Sequence, residues 1–207
     1  PQVVEGWYGQ LYPKPLARTR EWIEIFRKII AREEPVAFDG KHYQLPLDGG
    51  TGLGKPLKLM QHPLRDHIPV YLGAEGPKNV ALSAELFDGW IPMFLSPYRM
   101  GEQYADAMAI KGQDFEIAAA VPVVIDDDVD KARSQVKQNV GFYIGGMGAK
   151  TFNVHKDHVS RMGFGDAANE VQDLFMAGKR DQAFAAVPDQ LVDEIALCGP
   201  KARIKER

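Results

Sequence analysis

Between Ile68 and Ile125 short apolar runs alternate with longer amphipathic stretches, and that alternation constrains the fold more than any other feature of the chain. The runs are IPVYLG (68–73), GWIPMFL (89–95) and FEIAAAVPVVI (115–125). Near-continuous apolar runs of this kind read as strands buried on both faces of a parallel sheet. Pro122 either demotes the centre of the third run or bends its end, because proline cannot donate to a sheet ladder. GPKNVALSAELF (76–87) and PYRMGEQYADAMAIKG (97–112) read as helices between the runs. DDDVDKARSQVKQNVGFYI opens another, its carboxylates placed at the positive helix N-terminus. Strands alternating with helices at this spacing predict βαβ units and an α/β fold.

The flanks are built differently. Upstream, Trp22, Ile25, Phe26, Ile29 and Ile30 fall at i, i+3, i+4, i+7 and i+8, an apolar stripe that predicts a helix over about 15–33, with Pro15 tolerated in its first turn. VAFDGKHYQL follows, two β-like runs joined at Asp39-Gly40, the dipeptide of a tight hairpin. Residues 46–69 are rich in Pro, Gly and Leu and read as a long irregular excursion, which in a compact domain is functional or mobile. From about Gly145 the chain reads as mostly helical, with candidate helices around 156–163 and 167–186. PDQLVDEIALCG (188–199) closes it, with a proline start, a Gly199 stop and Pro200 just beyond.

The 207 residues fit one domain, and 45% hydrophobic with 26% charged is ordinary globular composition. A net charge of −3 argues against a sequence-independent nucleic-acid binder, which carries a basic surface. No apolar run approaches the roughly 18 residues that span a bilayer. The opening PQVVEGWYGQ lacks a charged segment followed by an apolar one, so no secretory leader is expected. Cys198 is the single cysteine, which excludes an intrachain disulfide framework and suits a reducing cytoplasm. On an apolar helical stretch with no histidine nearby, it reads as buried and inert.

Among possible chemical motifs, GGTGLGKP (49–56) imitates a phosphate-binding P-loop through Gly49, Gly54 and Lys55. Pro56 stands where a Ser or Thr must meet magnesium, and no apolar strand precedes the loop, so a mobile glycine loop is expected instead. His42, His62, His67, His155 and His158 show no zinc spacing, and His155 with His158 reads as a solvated or pocket-lining pair. No Ser/His/Asp order or G-x-S-x-G supports a hydrolase. YLGAEGPKNV (71–80) is more informative: a strand ends, small residues follow, and a helix begins near Pro77. Such a turn brings free backbone N–H groups to a phosphate, at the strand end where parallel α/β proteins keep their sites. The bland alternative is that Gly73 and Gly76 serve only the tightness of the turn.

At this point the residues resemble a known family. PVYLGAEGPKNVALSAELFDGWIPMFL is similar to the strand–helix–strand core of the luciferase-like flavin and deazaflavin oxidoreductases, down to Gly-Pro-Lys and the closing Asp88-Gly89-Trp90. PQVVEGWYGQLYPKPLARTREWIEIFRKII resembles the segment after the fourth barrel strand in the branch that uses coenzyme F-420. VAFDGKHYQLP resembles its inserted hairpin, and YIGGMGAKTFNVHKDHVSRMGFGDAANEVQDLFMAGKRDQA with VPDQLVDEIALCGPKARIKER resembles its C-terminal helices. The resemblance implies a (β/α)8 TIM barrel of the bacterial-luciferase type, incomplete at both ends. A whole barrel takes about 250 residues, and this chain reads as one domain from after strand four to before strand eight. The inserted hairpin and loop then occupy about 35–68 and the helical insertion about 145–190. A half barrel of that kind leaves an open sheet edge and exposed apolar faces.

The resemblance further implies an oxidoreductase that transfers a hydride between a reduced deazaflavin, coenzyme F-420, and a small organic substrate. An FMN-dependent monooxygenase using molecular oxygen is the alternative within the fold, and a cofactor-free binding or structural protein is the alternative outside it. By carry-over, Pro1, Gln2 and Val3 contact the ring and ribityl region. Gly73, Ala74 and Glu75 approach the ribityl and phosphate part with their backbone, and Pro92 and Met93 form the pocket wall. Some deazaflavin relatives hold the phosphate with a lysine shortly after the second run, where Phe94, Leu95 and Ser96 stand here, leaving Arg99 as a substitute. No metal is implied, and no catalytic acid is assigned; His42, His155 and Glu5 are candidates, to be judged by reach before pKa. A homodimer with a small-molecule substrate, without nucleic acid or membrane as partner, completes the expectation.

Overall fold

A computed structural model of the chain describes residues 1–65 and 67–207, so one position of the 46–69 excursion, residue 66, lies outside the described residues. Two helices open the chain, α1 (Gln2–Gly6) and α2 (Pro15–Ala31), the latter with proline at its N-terminus as expected. The stripe on α2 is rotated from the sequence reading: Ile23 and Ile25 are buried, whereas Trp22 is 45% exposed. Trp22 is set aside because its ring stacks on Phe26 at 5.4 Å rather than entering the core.

Strands β1 (Phe38–Asp39) and β2 (Gln44–Leu45) form the expected antiparallel hairpin, but not the expected turn. Asp39 pairs with Gln44, so the loop is the four residues 40–43. Glu21 of α2 organises that loop, its carboxylate accepting from the amides of Lys41, His42 and Tyr43 at 2.9–3.0 Å. Three charge-assisted bonds of this kind outweigh a two-residue turn.

The parallel core starts with β3 (Tyr71–Gly73), α3 (Pro77–Leu86) and β4 (Gly89–Ile91). The expected helix at 97–112 is two short pieces, α4 (Met100–Gln103) and α5 (Ala105–Ile110). The third apolar run is likewise two strands, β5 (Glu116–Ile117) and β6 (Val123–Ile125). β5 continues the sheet in the order β3-β4-β5, whereas β6 pairs in parallel with β7 (Leu197–Gly199). Pro122 sits at the handover, and its carbonyl accepts from Leu197 N–H at 2.9 Å.

Between β6 and β7 lies a helical layer: α6 (Val129–Gly146), α7 (Val154–Val159), a π-helical turn at Ser160–Phe164, α8 (Gly165–Met176), α9 (Arg180–Ala185) and α10 (Asp189–Ile195). Asp128 caps α6 by accepting from the amides of Asp130 and Lys131, and Asn153 caps α7 in the same manner. Gly145 lets α6 meet α8 closely, since a Cβ there would lie 2.4 Å from Phe175 Cβ. The final element is α11 (Lys201–Glu206). Leu197–Gly199 corrects the sequence reading, which continued the helix to Gly199. Cys198 is fully buried, but on a strand.

Three apolar clusters hold these layers. The largest joins the helical layer to β6 and β7, a second centres on Trp90 among α3, β4 and α5, and a third seats Ile23 of α2 against Leu82 and Phe87. Each fully buried large side chain contributes roughly 1.5–3 kcal/mol. The strands are packed on one face only, which corrects the expectation of two buried faces. Trp90 is 0% exposed while Ile91 beside it is 46%, and Val123 and Ile125 are 54% and 60% exposed. Helices cover a single side, and the alternation of side chains across a strand turns these residues to the other.

Candidate functional site

β3 runs into Gly73-Ala74-Glu75-Gly76 before α3 begins, at the carboxyl end of the parallel strands. Four elements clamp this turn through its carbonyl groups. Trp90 of β4 donates its indole N–H to Ala74 O at 2.7 Å. Tyr104, between α4 and α5, places its hydroxyl 3.0 Å from Glu75 O, and Arg161 of the π-helical turn donates to the same oxygen at 3.1 Å. Gly76 O accepts from the amides of Asn79 and Val80 in α3. Three successive acceptors are therefore engaged, while the N–H groups of Glu75 and Gly76 have no partner among the described residues. A turn whose oxygens are tied inward and whose N–H groups are free, ahead of a helix N-terminus, favours an anion.

The glycines decide between the two readings of the turn. Neither Gly73 nor Gly76 has a positive φ, and a Cβ at either would meet nothing within 4 Å. Neither the backbone conformation nor packing within the described residues requires glycine there. What the missing side chain leaves is open space above the strand end.

The Glu75 side chain points into the helical layer. Its Oε1 lies 2.6 Å from Nδ1 of His155 on α7, with the two side chains 9% and 16% exposed. Oε2 of Glu75 is buried with no partner. The His155 ring is gripped edge-on by Tyr143 at 4.9 Å and Phe94 at 6.4 Å. One turn further, His158 is fully buried, with Nδ1 3.2 Å from the Tyr104 hydroxyl and Nε2 3.2 Å from Phe94 O. Burial pushes the His158 imidazole below its ordinary pKa, against the opposing pull of the Phe94 carbonyl. Burial likewise pushes the Tyr104 phenol up to about 12, so it stays protonated at neutral pH.

The remaining expected site residues lie on other elements. Pro1 precedes α1, Gln2 and Val3 form its first turn, and all three are exposed. Val4 shares a cleft of about 600 Å³ with Tyr71, Leu72 and Trp22. Pro92 is buried, and Met93 is half-buried and packs against the large cluster. Arg99 is committed elsewhere: it forks onto Glu194 at 2.6 and 2.8 Å, beside Ser96. His42 is fixed by its backbone in the hairpin loop, and Glu5 is exposed on α1. Sequence reasoning weighed Glu75 and His155 separately but missed their pairing, read His158 with His155 as a solvated or pocket-lining pair although it is fully buried, and missed Tyr104 and Arg161 altogether. No local pattern announces partners 80 residues apart.

The P-loop imitation at 49–56 is an exposed loop with positive φ at Gly49 and Gly52 and no helix after it. Among the described residues no group of three or more His, Cys, Asp or Glu is placed to hold a metal, and no helix is long and apolar enough to cross a membrane.

The chain is similar to several known proteins. A Mycobacterium tuberculosis protein, provisionally named a coenzyme F-420-dependent oxidoreductase, is 50% identical over all of this chain and 62% of its own length. A 5,10-methylenetetrahydromethanopterin reductase of Archaeoglobus fulgidus is 30% identical over 96% of this chain and 58% of its own. The chain thus spans about six tenths of the length of these relatives. The solved coenzyme F-420-dependent tetrahydromethanopterin reductase of Methanopyrus kandleri shares the fold, with a TM-score of 0.66 at 18% identity over 100% of this chain and 61% of that one. The sequence profile of luciferase-like monooxygenases matches residues 1–207 from end to end, and with that match the chain belongs to the luciferase-like monooxygenase family.

Proposed function

We propose that the protein is a coenzyme F-420-dependent oxidoreductase that transfers a hydride between the deazaflavin and a small organic substrate. The observation that carries this reading is the turn at Gly73–Gly76, with its carbonyls tied inward, its N–H groups free and open space over Gly73. The relatives named for F-420 support it over the FMN-dependent alternative. On this reading β3, β4, the interrupted β5–β6 and β7 are strands five to eight of a (β/α)8 barrel, so the chain takes in strand eight, before which the sequence reading ended it. The exposed face carrying Ile91, Val123 and Ile125 then belongs to the barrel interior.

The residues present fit the phosphate-bearing side chain of such a cofactor. Backbone N–H groups of Glu75 and Gly76 would hold the phosphate, and Arg161, already donating to Glu75 O, supplies the cation that Arg99 does not. Pro1, Gln2, Val3, Pro92 and Met93 remain proposed contacts to the rest of the cofactor. When bound, the deazaflavin supplies the two-electron redox chemistry, and the protein orients it and excludes water. Spectroscopic titration of the full-length protein with F-420 and with FMN tests the proposal. Saturable F-420 binding with F-420-linked turnover is expected. Tight FMN binding without F-420 turnover overturns it in favour of a monooxygenase, and binding of neither favours a cofactor-free protein.

A further inference from the structure

Leu47, Leu53, Leu57 and Met60, in the excursion between β2 and β3, are 71%, 85%, 67% and 93% exposed. Single exposed apolar residues are ordinary, but these four line one groove of about 900 Å³. Its inner walls are half-buried Ile29 of α2 and Leu45 of β2. Polar bonds hold the groove open. Val36 N–H donates to Leu57 O at 2.8 Å, Arg32 Nε to Leu59 O at 2.7 Å, and Lys58 Nζ to Glu33 O at 3.1 Å. These bonds moor the excursion to the end of α2 through its backbone and leave the leucine side chains uncovered. Small-molecule sites span roughly 300–1,000 Å³, with apolar walls and a few placed polar groups.

The charged groups here are both cations. Lys55 has no hydrogen bond or ion pair among the described residues, and Lys58 spends one of its three N–H donors on Glu33 O. No Asp or Glu is among the residues lining the groove, in a chain whose net charge is −3.

We infer that this groove binds a long-chain carboxylate, a fatty acid taken singly from solution, with its acyl chain along the leucines and its head group at Lys55 and Lys58. A bilayer presents a plane, which a concave wall meets only at its rim. A two-fold contact with a second copy sets the same patch against itself, and with it the same lysines. The site is separate from the cofactor turn: the excursion enters β3 at its amino end, whereas Gly73–Gly76 stands at its carboxyl end. Occupancy therefore requires neither F-420 nor turnover.

The test uses the full-length protein and cis-parinaric acid, a fatty acid that fluoresces in apolar surroundings. Saturable fluorescence is expected, displaced by decanoate, dodecanoate and tetradecanoate with affinity rising about fourfold per added methylene. Leu53→Asp sets a carboxylate in the groove and is expected to weaken binding more than about tenfold. Because Leu53 is exposed, its Tm should stay within about 2 °C of wild type. Lys55→Gln is expected to weaken dodecanoate roughly 1.5- to 5-fold and to leave dodecanol unchanged. Absence of saturable fluorescence, or binding undiminished in Leu53→Asp, overturns the site. Dodecyltrimethylammonium binding as tightly as dodecanoate overturns the role of the lysines. A dimer in ultracentrifugation that Leu53→Asp dissociates gives the groove to a second copy. Co-sedimentation with phosphatidylglycerol vesicles without binding of dodecanoate gives it to a membrane surface; either result overturns the inference.

Discussion

Replacing Gly73 with alanine separates the demands of folding from those of the ligand. A Cβ built at this position meets nothing within 4 Å, and the backbone is outside the positive-φ region. The folded state therefore accepts the methyl group, while the unfolded chain loses conformational freedom, which stabilises the protein by about 0.4–1 kcal/mol. For a domain of this size that raises Tm by roughly 1–4 °C. The ligand experiences the opposite effect. If the space over Gly73 receives the cofactor, the added methyl overpacks it at a cost of about 1–3 kcal/mol, which weakens Kd roughly 5- to 150-fold. Calorimetric unfolding and fluorescence titration with F-420, on the same preparations, read both quantities. A raised Tm with an unchanged Kd refutes the assignment of that space to the cofactor. A Tm that falls by several degrees refutes the open-space geometry itself.

Other substitutions probe the clamp and the core. Trp90→Phe removes the donor to Ala74 O from a fully buried site. The unpaired carbonyl costs about 1–3 kcal/mol, and with the smaller ring the total loss in urea unfolding is expected near 2–4 kcal/mol, with weaker F-420 binding besides. Gly145→Ala gains about 1 kcal/mol of helix propensity, yet its Cβ would stand 2.4 Å from Phe175 Cβ. Overpacking of about 1–3 kcal/mol leaves a net loss of roughly 0–2 kcal/mol, read by the same unfolding assay. Burial alone would raise the Asp88 carboxyl, but hydrogen bonds from Arg27, the Val70 amide and His67 hold it below its ordinary value. A depressed carboxyl contributes stability above its unfolded pKa and loses it as pH falls through the folded one. Acid titration should therefore show stability declining below about pH 4, and Asp88→Asn should remove part of that slope while weakening the protein at neutral pH.

Local patterns carried much of the architecture. Pro77 after a glycine marked the start of α3, the acidic run before Val129 marked the capped start of α6, and strand–helix alternation marked the parallel pairing of β3 with β4. Pro122 was flagged, yet its consequence was underestimated: it divides one apolar run between two sheets. The strand at Leu197–Gly199 stayed hidden because three apolar residues after Ile195 continue a helical pattern as well as they start a strand, and only the pairing with β6 decides. Glu75 was legible as a residue in a phosphate-type turn, but its side-chain partner was not. Tyr104, His155 and Arg161 meet at that turn through tertiary packing over 29 to 86 residues of sequence separation, a range on which periodicity is silent.

The pairing of β6 with β7 has a further consequence. Val123 stands opposite Leu197, and Asp126 N–H reaches Gly199 O at 3.2 Å, so the chain leaves the sheet and returns to it on neighbouring strands. Such strands lie about 4.8 Å apart. The helical layer from Asp126 to Ala196 is therefore a cassette plugged into one socket, and the closure entropy of a longer or shorter cassette changes only slowly with its length. Because that cassette also brings His155 and Arg161 to the turn after β3, a change in its length or packing is felt at that turn while the β6–β7 socket stays as it is.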